Sequence, residues 1–192
     1  LQALPPRQLR VMYGEMLKHG LLADGAHFAR LLAQGPARAH HQDWLEDIGT
    51  SARIKLGLVA QDPGDQAARR LLNLGHTLGH ALESALLGTP EELLHGEAVA
   101  LGLVAEARLA ARLGLLAHEP LSAIEKILAL GYPLPAGPLP RARVLEYLVQ
   151  DKKNKNGQLL FALPVALGAA RWDVPVAAEE ALNALATLVQ LE

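Results

Sequence analysis

The chain has 192 residues, 51% of them hydrophobic and 4% aromatic, enough to bury one sizeable core. Against 20 Asp and Glu stand 18 Lys and Arg, a formal net charge of -2. With no basic block and no apolar run of bilayer length, that balance argues against nucleic-acid and membrane roles. There is no Cys, so disulfides, thiolate metal sites and cysteine nucleophiles are excluded, and any metal must be held by Asp, Glu or the 8 His residues.

Apolar residues at helical spacing predict helices over Gln8–Leu22, Ala26–Gln34, His41–Gln61, Ala67–Leu87, Gly96–Leu115, Leu121–Leu130 and Ala142–Gln150. The fifth is almost continuously apolar from Ala98 to Ala105, the pattern of a helix buried on nearly all sides, and is the expected central helix. Gly131, Pro133, Pro135, Gly137, Pro138 and Pro140 break the pattern and predict a surface connection separating two parts. Beyond it, Leu159–Leu163 and Ala169–Val174 predict a β-hairpin with a longer loop over Pro164–Gly168, and Glu179–Leu191 predicts a closing amphipathic helix. The fold expected is mainly α, a helical-bundle domain with a small β-hairpin near the C-terminus. Leu1-Gln2-Ala3 lacks both an initiating Met and the charged start and apolar core of a signal peptide, so further residues are expected upstream.

Candidate chemistry gathers first in Asn73-Leu74-Gly75-His76-Thr77-Leu78-Gly79-His80. A helix puts His76 and His80 on one face, at metal-ligand or acid–base spacing, with Asn73 and Glu83 near the same stripe and Arg69 one turn before Asn73. An ordinary helix with glycines for close packing fits the same letters. His95-Gly96-Glu97 opens the apolar helix, where free N–H groups and the positive dipole end are expected to depress the imidazole's proton affinity and keep it neutral. Glu15, Lys18 and His19 lie within one turn, so the acid could ligate a cation or pair with either base. Lys55 sits between Ile54 and Leu56, and Lys55 or Arg69 could grip a carboxylate or phosphate. Asp151 to Gly157 holds three lysines in a turn that is either a solvated loop or a phosphate clamp. His27, His40, His41 and His118 lack partners at diagnostic spacing and read as surface or helix-end residues. No GxGxxG or P-loop is present.

Taken together, Gly14 to Leu22, Ser51 to Lys55, Arg69 to His80, His95 to Gly102 and Asp151-Lys152-Lys153 resemble, in order and approximate spacing, the C-terminal helical half of 3-dehydroquinate synthase. The resemblance implies an NAD- and zinc-dependent lyase of the shikimate pathway, serving aromatic amino acid biosynthesis. Its reaction turns 3-deoxy-D-arabino-heptulosonate 7-phosphate into 3-dehydroquinate and phosphate by transient oxidation, phosphate loss, reduction, ring opening and aldol closure. Carried to matching positions, the metal ligands are Glu15, His76 and His95, for zinc or alternatively cobalt, while His80 becomes a hydrogen-bond or proton partner to the phosphate instead of a ligand. Lys18, Lys55, Asp65, Arg69, Asn73, His80 and Lys152 are the implied substrate-binding set, with Lys55, Arg69, Asn73, His80 and Lys152 also counted as catalytic.

Two departures from the family pattern stand out: Asp65 where Glu is usual, and Gly14 where Ala precedes the ligand glutamate. Gly14 is expected to cost about 1 kcal/mol of helix stability. The resemblance also implies an N-terminal NAD-binding domain outside this chain, poor NAD binding by these residues alone, a homodimeric complete protein and a small sugar-phosphate substrate, while the absence of Cys and of a signal peptide fits a cytoplasmic setting. Competing readings are a related cyclase forming 2-deoxy-scyllo-inosose or a valiolone, a metal-dependent alcohol dehydrogenase, and a non-catalytic helical metal-binding domain.

Overall fold

The structure is a computed structural model that describes residues 4–37, 41–150 and 158–192. Helix α1 (Pro6–Ala23) starts on a proline, whose missing N–H costs nothing in the first turn. Asp24 ends it and caps α2 (Gly25–Gln34) by accepting the His27 N–H at 2.9 Å. Helix α3 (His41–Gln61) follows, and Trp44 meets Tyr13 edge-on at 5.6 Å to seal the corner that α3 makes with α1. A 3-10 helix (Ala68–Asn73) leads into α4 (His76–Leu86), and then come α5 (His95–Arg112) and α6 (His118–Glu125), which tightens into a 3-10 turn at Lys126–Leu130. Helix α7 (Arg141–Gln150), the antiparallel pair β1 (Leu159–Ala166) and β2 (Ala169–Val176), and α8 (Ala178–Leu185) complete the described chain. The mainly helical domain with one hairpin is therefore as expected.

Helix α5 is the centre, buried without a break from Gly96 to Ala107 and packed by α1, α4, α6, α8 and β1. Its neighbours come so close that backbone touches backbone. A Cβ on Gly14 would stand 2.2 Å from the Gly96 carbonyl oxygen, and one on Gly102 would stand 2.0 Å from that of Gly75. Gly14 is thus a point of contact between α1 and α5, which corrects the expectation that it merely weakens a helix. Arg7 adds a bidentate grip on the buried Glu97 carboxylate, which also accepts the Leu94 N–H and so caps α5.

Four predicted boundaries change for physical reasons. The helix expected over Ala67–Leu87 is broken at Leu74 and Gly75, because Gly75 takes φ +77° with its carbonyl against Gly102. Arg69 and Asn73 therefore lie on a 3-10 helix, where four residues turn through about 480°, so they do not share the helical face assigned to them. The proline-rich segment separates no parts: Tyr132 is buried and donates to the Arg10 carbonyl, and one apolar core runs through both sides. The last helix stops at Leu185 because residues 190–192 extend alongside Leu139. The hairpin loop is short, strand pairing reaching Ala166 and Ala169.

Gly102→Ala tests the close crossing. Helix propensity favours Ala by about 1 kcal/mol, but the added methyl meets a backbone oxygen that no rotamer change can move. A net destabilisation of about 1–3 kcal/mol is expected in denaturant unfolding.

Candidate active site

Three helices deliver one side chain each to a common point. Glu15 projects from α1, and His76 and His95 are the first residues of α4 and α5. Glu15 Oε1 lies 3.4 Å from His76 Nε2 and 3.2 Å from His95 Nε2. Donors bound at 2.0–2.2 Å in a tetrahedron stand about 3.4 Å apart, so these spacings suit one zinc-sized ion. His76 Nδ1 is 3.0 Å from the Leu74 carbonyl, which fixes the tautomer that donates there and leaves Nε2 bare. On His95, Nδ1 is instead 3.2 Å from Glu83 Oε2.

His80, one turn along α4, brings its ring to 5.1 Å from that of His76 and 5.5 Å from that of His95. The three imidazoles each place a nitrogen within 4.8 Å of the others, so the spacing pair His76/His80 also remains available to a metal. Side-chain exposure falls from 45% at His95 to 29% at Glu15 and 12% at His76, so the group opens to solvent on the His95 side.

Charge within the group is strongly biased. Burial alone would raise the Glu15 carboxyl, but hydrogen bonds with His76 and His95 and the Lys18 ammonium at 2.7 Å hold it well below the usual carboxylate range. Burial pushes Lys18 down, partly offset by Glu15 and reinforced by Lys55, which stands exposed on α3. His95 behaves opposite to expectation: its hydrogen bond with Glu15, with Glu83 assisting, outweighs desolvation and raises its proton affinity. Two carboxylates beside the ring defeat the helix terminus.

Arg69 donates from Nη1 to the Pro63 carbonyl, and Asn73 is half-buried at the end of the 3-10 helix. Asp65 is exposed with φ +53°, its carbonyl accepting from Arg70 Nε. Lys152 and the rest of residues 151–157 lie outside the described residues. His19 pairs with Ser51 at 2.6 Å instead of with Glu15. His27, read as a surface or helix-end residue, is fully buried, with Nδ1 3.3 Å from Asp47 Oδ1.

Sequence reasoning missed two organising carboxylates. Asp62 accepts the backbone N–H groups of Gln66, Ala67 and Arg69, shaping the loop that carries Asp65 and Arg69. Glu106, fully buried on α5, accepts those of Gly75 and Leu78 and so anchors the start of α4 beside His76. A lone carboxylate in the run Val104-Ala105-Glu106-Ala107 was the available signal.

This fold and this donor set define a helical domain built around a candidate metal centre. Residues 12–154 match the family model described as 3-dehydroquinate synthase C-terminal. The chain is 43% identical to a 3-dehydroquinate synthase of Jannaschia sp., covering 95% of this chain and 52% of that protein, and 40% identical to one of Bradyrhizobium sp., covering 88% and 47%. It belongs to the 3-dehydroquinate synthase family, and it spans about half the length of these curated relatives. Among solved structures, a 2-epi-5-epi-valiolone synthase from Streptomyces hygroscopicus with NAD+ and Zn2+ bound superposes with a TM-score of 0.74 at 27% identity, over 97% of this chain and 52% of that one. A 2-deoxy-scyllo-inosose synthase complexed with carbaglucose-6-phosphate, NAD+ and Co2+ shares the fold, with a TM-score of 0.83 at 22% identity, over 98% and 55%.

A pH effect follows from His19. It is buried beside Lys18, and desolvation followed by that ammonium's repulsion lowers its pKa to about 3 from an ordinary 6.5. Between those values the unfolded chain binds a proton that the folded one does not. Stability from this group is therefore present above pH 6.5 and lost as pH falls, by about 1.4 kcal/mol per pH unit. Denaturant unfolding between about pH 6 and pH 4.5 should show about one proton less of slope in His19→Phe.

Proposed function

We propose that the chain is the metal- and substrate-binding half of a 3-dehydroquinate synthase. In this reading it works with an N-terminal NAD-binding domain as a carbon–oxygen lyase that releases phosphate from 3-deoxy-D-arabino-heptulosonate 7-phosphate. The observation that carries the reading is the placement of Glu15 Oε1 within 3.4 Å of His76 Nε2 and 3.2 Å of His95 Nε2, at positions that match the ligands of the family motif. The donors suit zinc, with cobalt as a substitute: one carboxylate and two imidazoles leave room for substrate oxygens. When bound, zinc supplies Lewis acidity and a template for hydroxyl groups, and NAD takes and returns a hydride.

The chain's own residues then bind, orient and hold charge. Lys18 neutralises Glu15 from the buried side, so the carboxylate stays ionised without an outside counterion. His80 stands beside the two imidazoles, in a place to hydrogen-bond a substrate phosphate or hold its proton. Lys55, Arg69, Asn73 and Lys152 are assigned to carboxylate, hydroxyl and phosphate groups of the substrate. Asp65 is assigned there as well, one methylene shorter than the usual Glu.

The same reading makes the complete protein a cytoplasmic homodimer acting on a small sugar phosphate. Among the described residues no helix is long and apolar enough to cross a membrane. Relatives near 40% identity favour dehydroquinate synthase over the other cyclases, which match at 22–27%.

Phosphate release from the heptulosonate phosphate, measured with zinc in the presence and absence of NAD on the protein extended upstream, tests the proposal. Release should require NAD and fall at least ~100-fold in His76→Ala, the loss of several kcal/mol that a metal's electrostatic role supplies. Release from another sugar phosphate in its place would assign a sister cyclase, and none from any of them would leave a metal-binding domain.

A further inference from the structure

Between His76 and Glu83 lie two turns of α4, so both residues face the same side of that helix. From there Glu83 Oε2 reaches across to α5 and stands 3.2 Å from His95 Nδ1, while His95 Nε2 stands 3.2 Å from Glu15 Oε1. One imidazole is thus held between two carboxylates on different helices. The other imidazole is oriented differently, by the backbone carbonyl of Leu74, and it is nearly enclosed.

We propose that Glu83 is the positioning residue of the metal centre, fixing the ring orientation and tautomer of His95; this rests on reading Glu15, His76 and His95 as the ligands. An imidazole has one N–H in its neutral form, so the proton given to Glu83 from Nδ1 leaves the Nε2 lone pair aimed at the point shared with Glu15 and His76. His95 needs such a partner more than His76 does. Its side chain is 45% exposed, against 12%, so packing does little to restrict its rotation. The negative partner also raises the basicity of the ring nitrogen that faces the cation.

The placement has a structural consequence. Helix α4 supplies one ligand directly and aims a second one carried by α5, so the centre reads the register of α4 against α5 twice. A half-exposed ion pair with no such role contributes little to anything, which makes the two alternatives separable.

The experiment is cobalt binding by the protein extended upstream, with affinity from chelator competition and geometry from the visible absorption of bound cobalt. Glu83→Ala should weaken binding about 10–100-fold and alter the spectrum, with the unfolding midpoint of the metal-free protein unchanged. Glu83→Gln, which keeps an acceptor oxygen of the same reach, should recover part of the loss. Affinity and spectrum unchanged in Glu83→Ala, with binding lost in His95→Ala, would overturn the role of Glu83 alone. Unchanged binding in His95→Ala as well would overturn the metal centre and the proposal together. Should Glu83→Ala not fold, Glu83→Gln decides, and binding and spectrum identical to the unaltered protein would refute the role.

Discussion

The candidate centre depends on how closely α1 and α4 can approach α5. Each proposed ligand is next to a glycine in one of these contacts: Gly14 precedes Glu15, Gly75 precedes His76 and Gly96 follows His95. Gly14 and Gly96 touch each other, and Gly75 touches Gly102. A side-chain layer between helices would set the axes at 8–10 Å and let them shift as rotamers change. Backbone contact removes that freedom. The donors must come within about 3.4 Å of one another from three separate helices, and a rigid, short crossing is a direct way to meet that tolerance.

Bringing these groups together has an electrostatic cost that the fold offsets locally. Glu15 would be a poor tenant of a partly enclosed site if it stood alone, but Lys18 on the same turn and the imidazoles opposite keep it charged. Both imidazoles also occupy helix starts, where unpaired N–H groups favour negative charge nearby. Glu106 and Glu97 occupy two of those starts as buried acceptors, satisfying backbone groups that would otherwise be stranded at the ends of α4 and α5. The carboxylates thus divide into those that hold helix ends and those that face the open side.

Much of this was legible in the letters because it follows from local rules. Periodicity found the helices and marked α5 as central, and the glycine-flanked histidines marked the site. The break at Gly75 was not legible, because Leu71 and Leu74 before it and Leu78 after it keep helical spacing and the turn is imposed by contact with Gly102. His95 was assigned the wrong direction of proton affinity for a similar reason: the helix terminus is visible in sequence, but Glu15 and Glu83 come from 80 and 12 residues away. Glu106 was passed over as one acid in an apolar helix, since its partners belong to another element. Spacing paired His76 with His80, and the carbonyl and carboxylate contacts that distinguish His95 appear only in three dimensions.

The parts that hold the centre and those assigned to the substrate are anchored separately. His76, His95 and Glu83 are fixed by the α4–α5 crossing, whereas Asp65 and Arg69 ride a loop gathered by Asp62 and tied to the hairpin through the Arg70–Asp173 ion pair. On the proposed reading, a change of substrate is accommodated in that segment, without moving the donor spacing set by backbone contact. On that reading Glu15, His76 and His95 would serve the metal chemistry, while Asp65 and Arg69 would be where substrate choice is made.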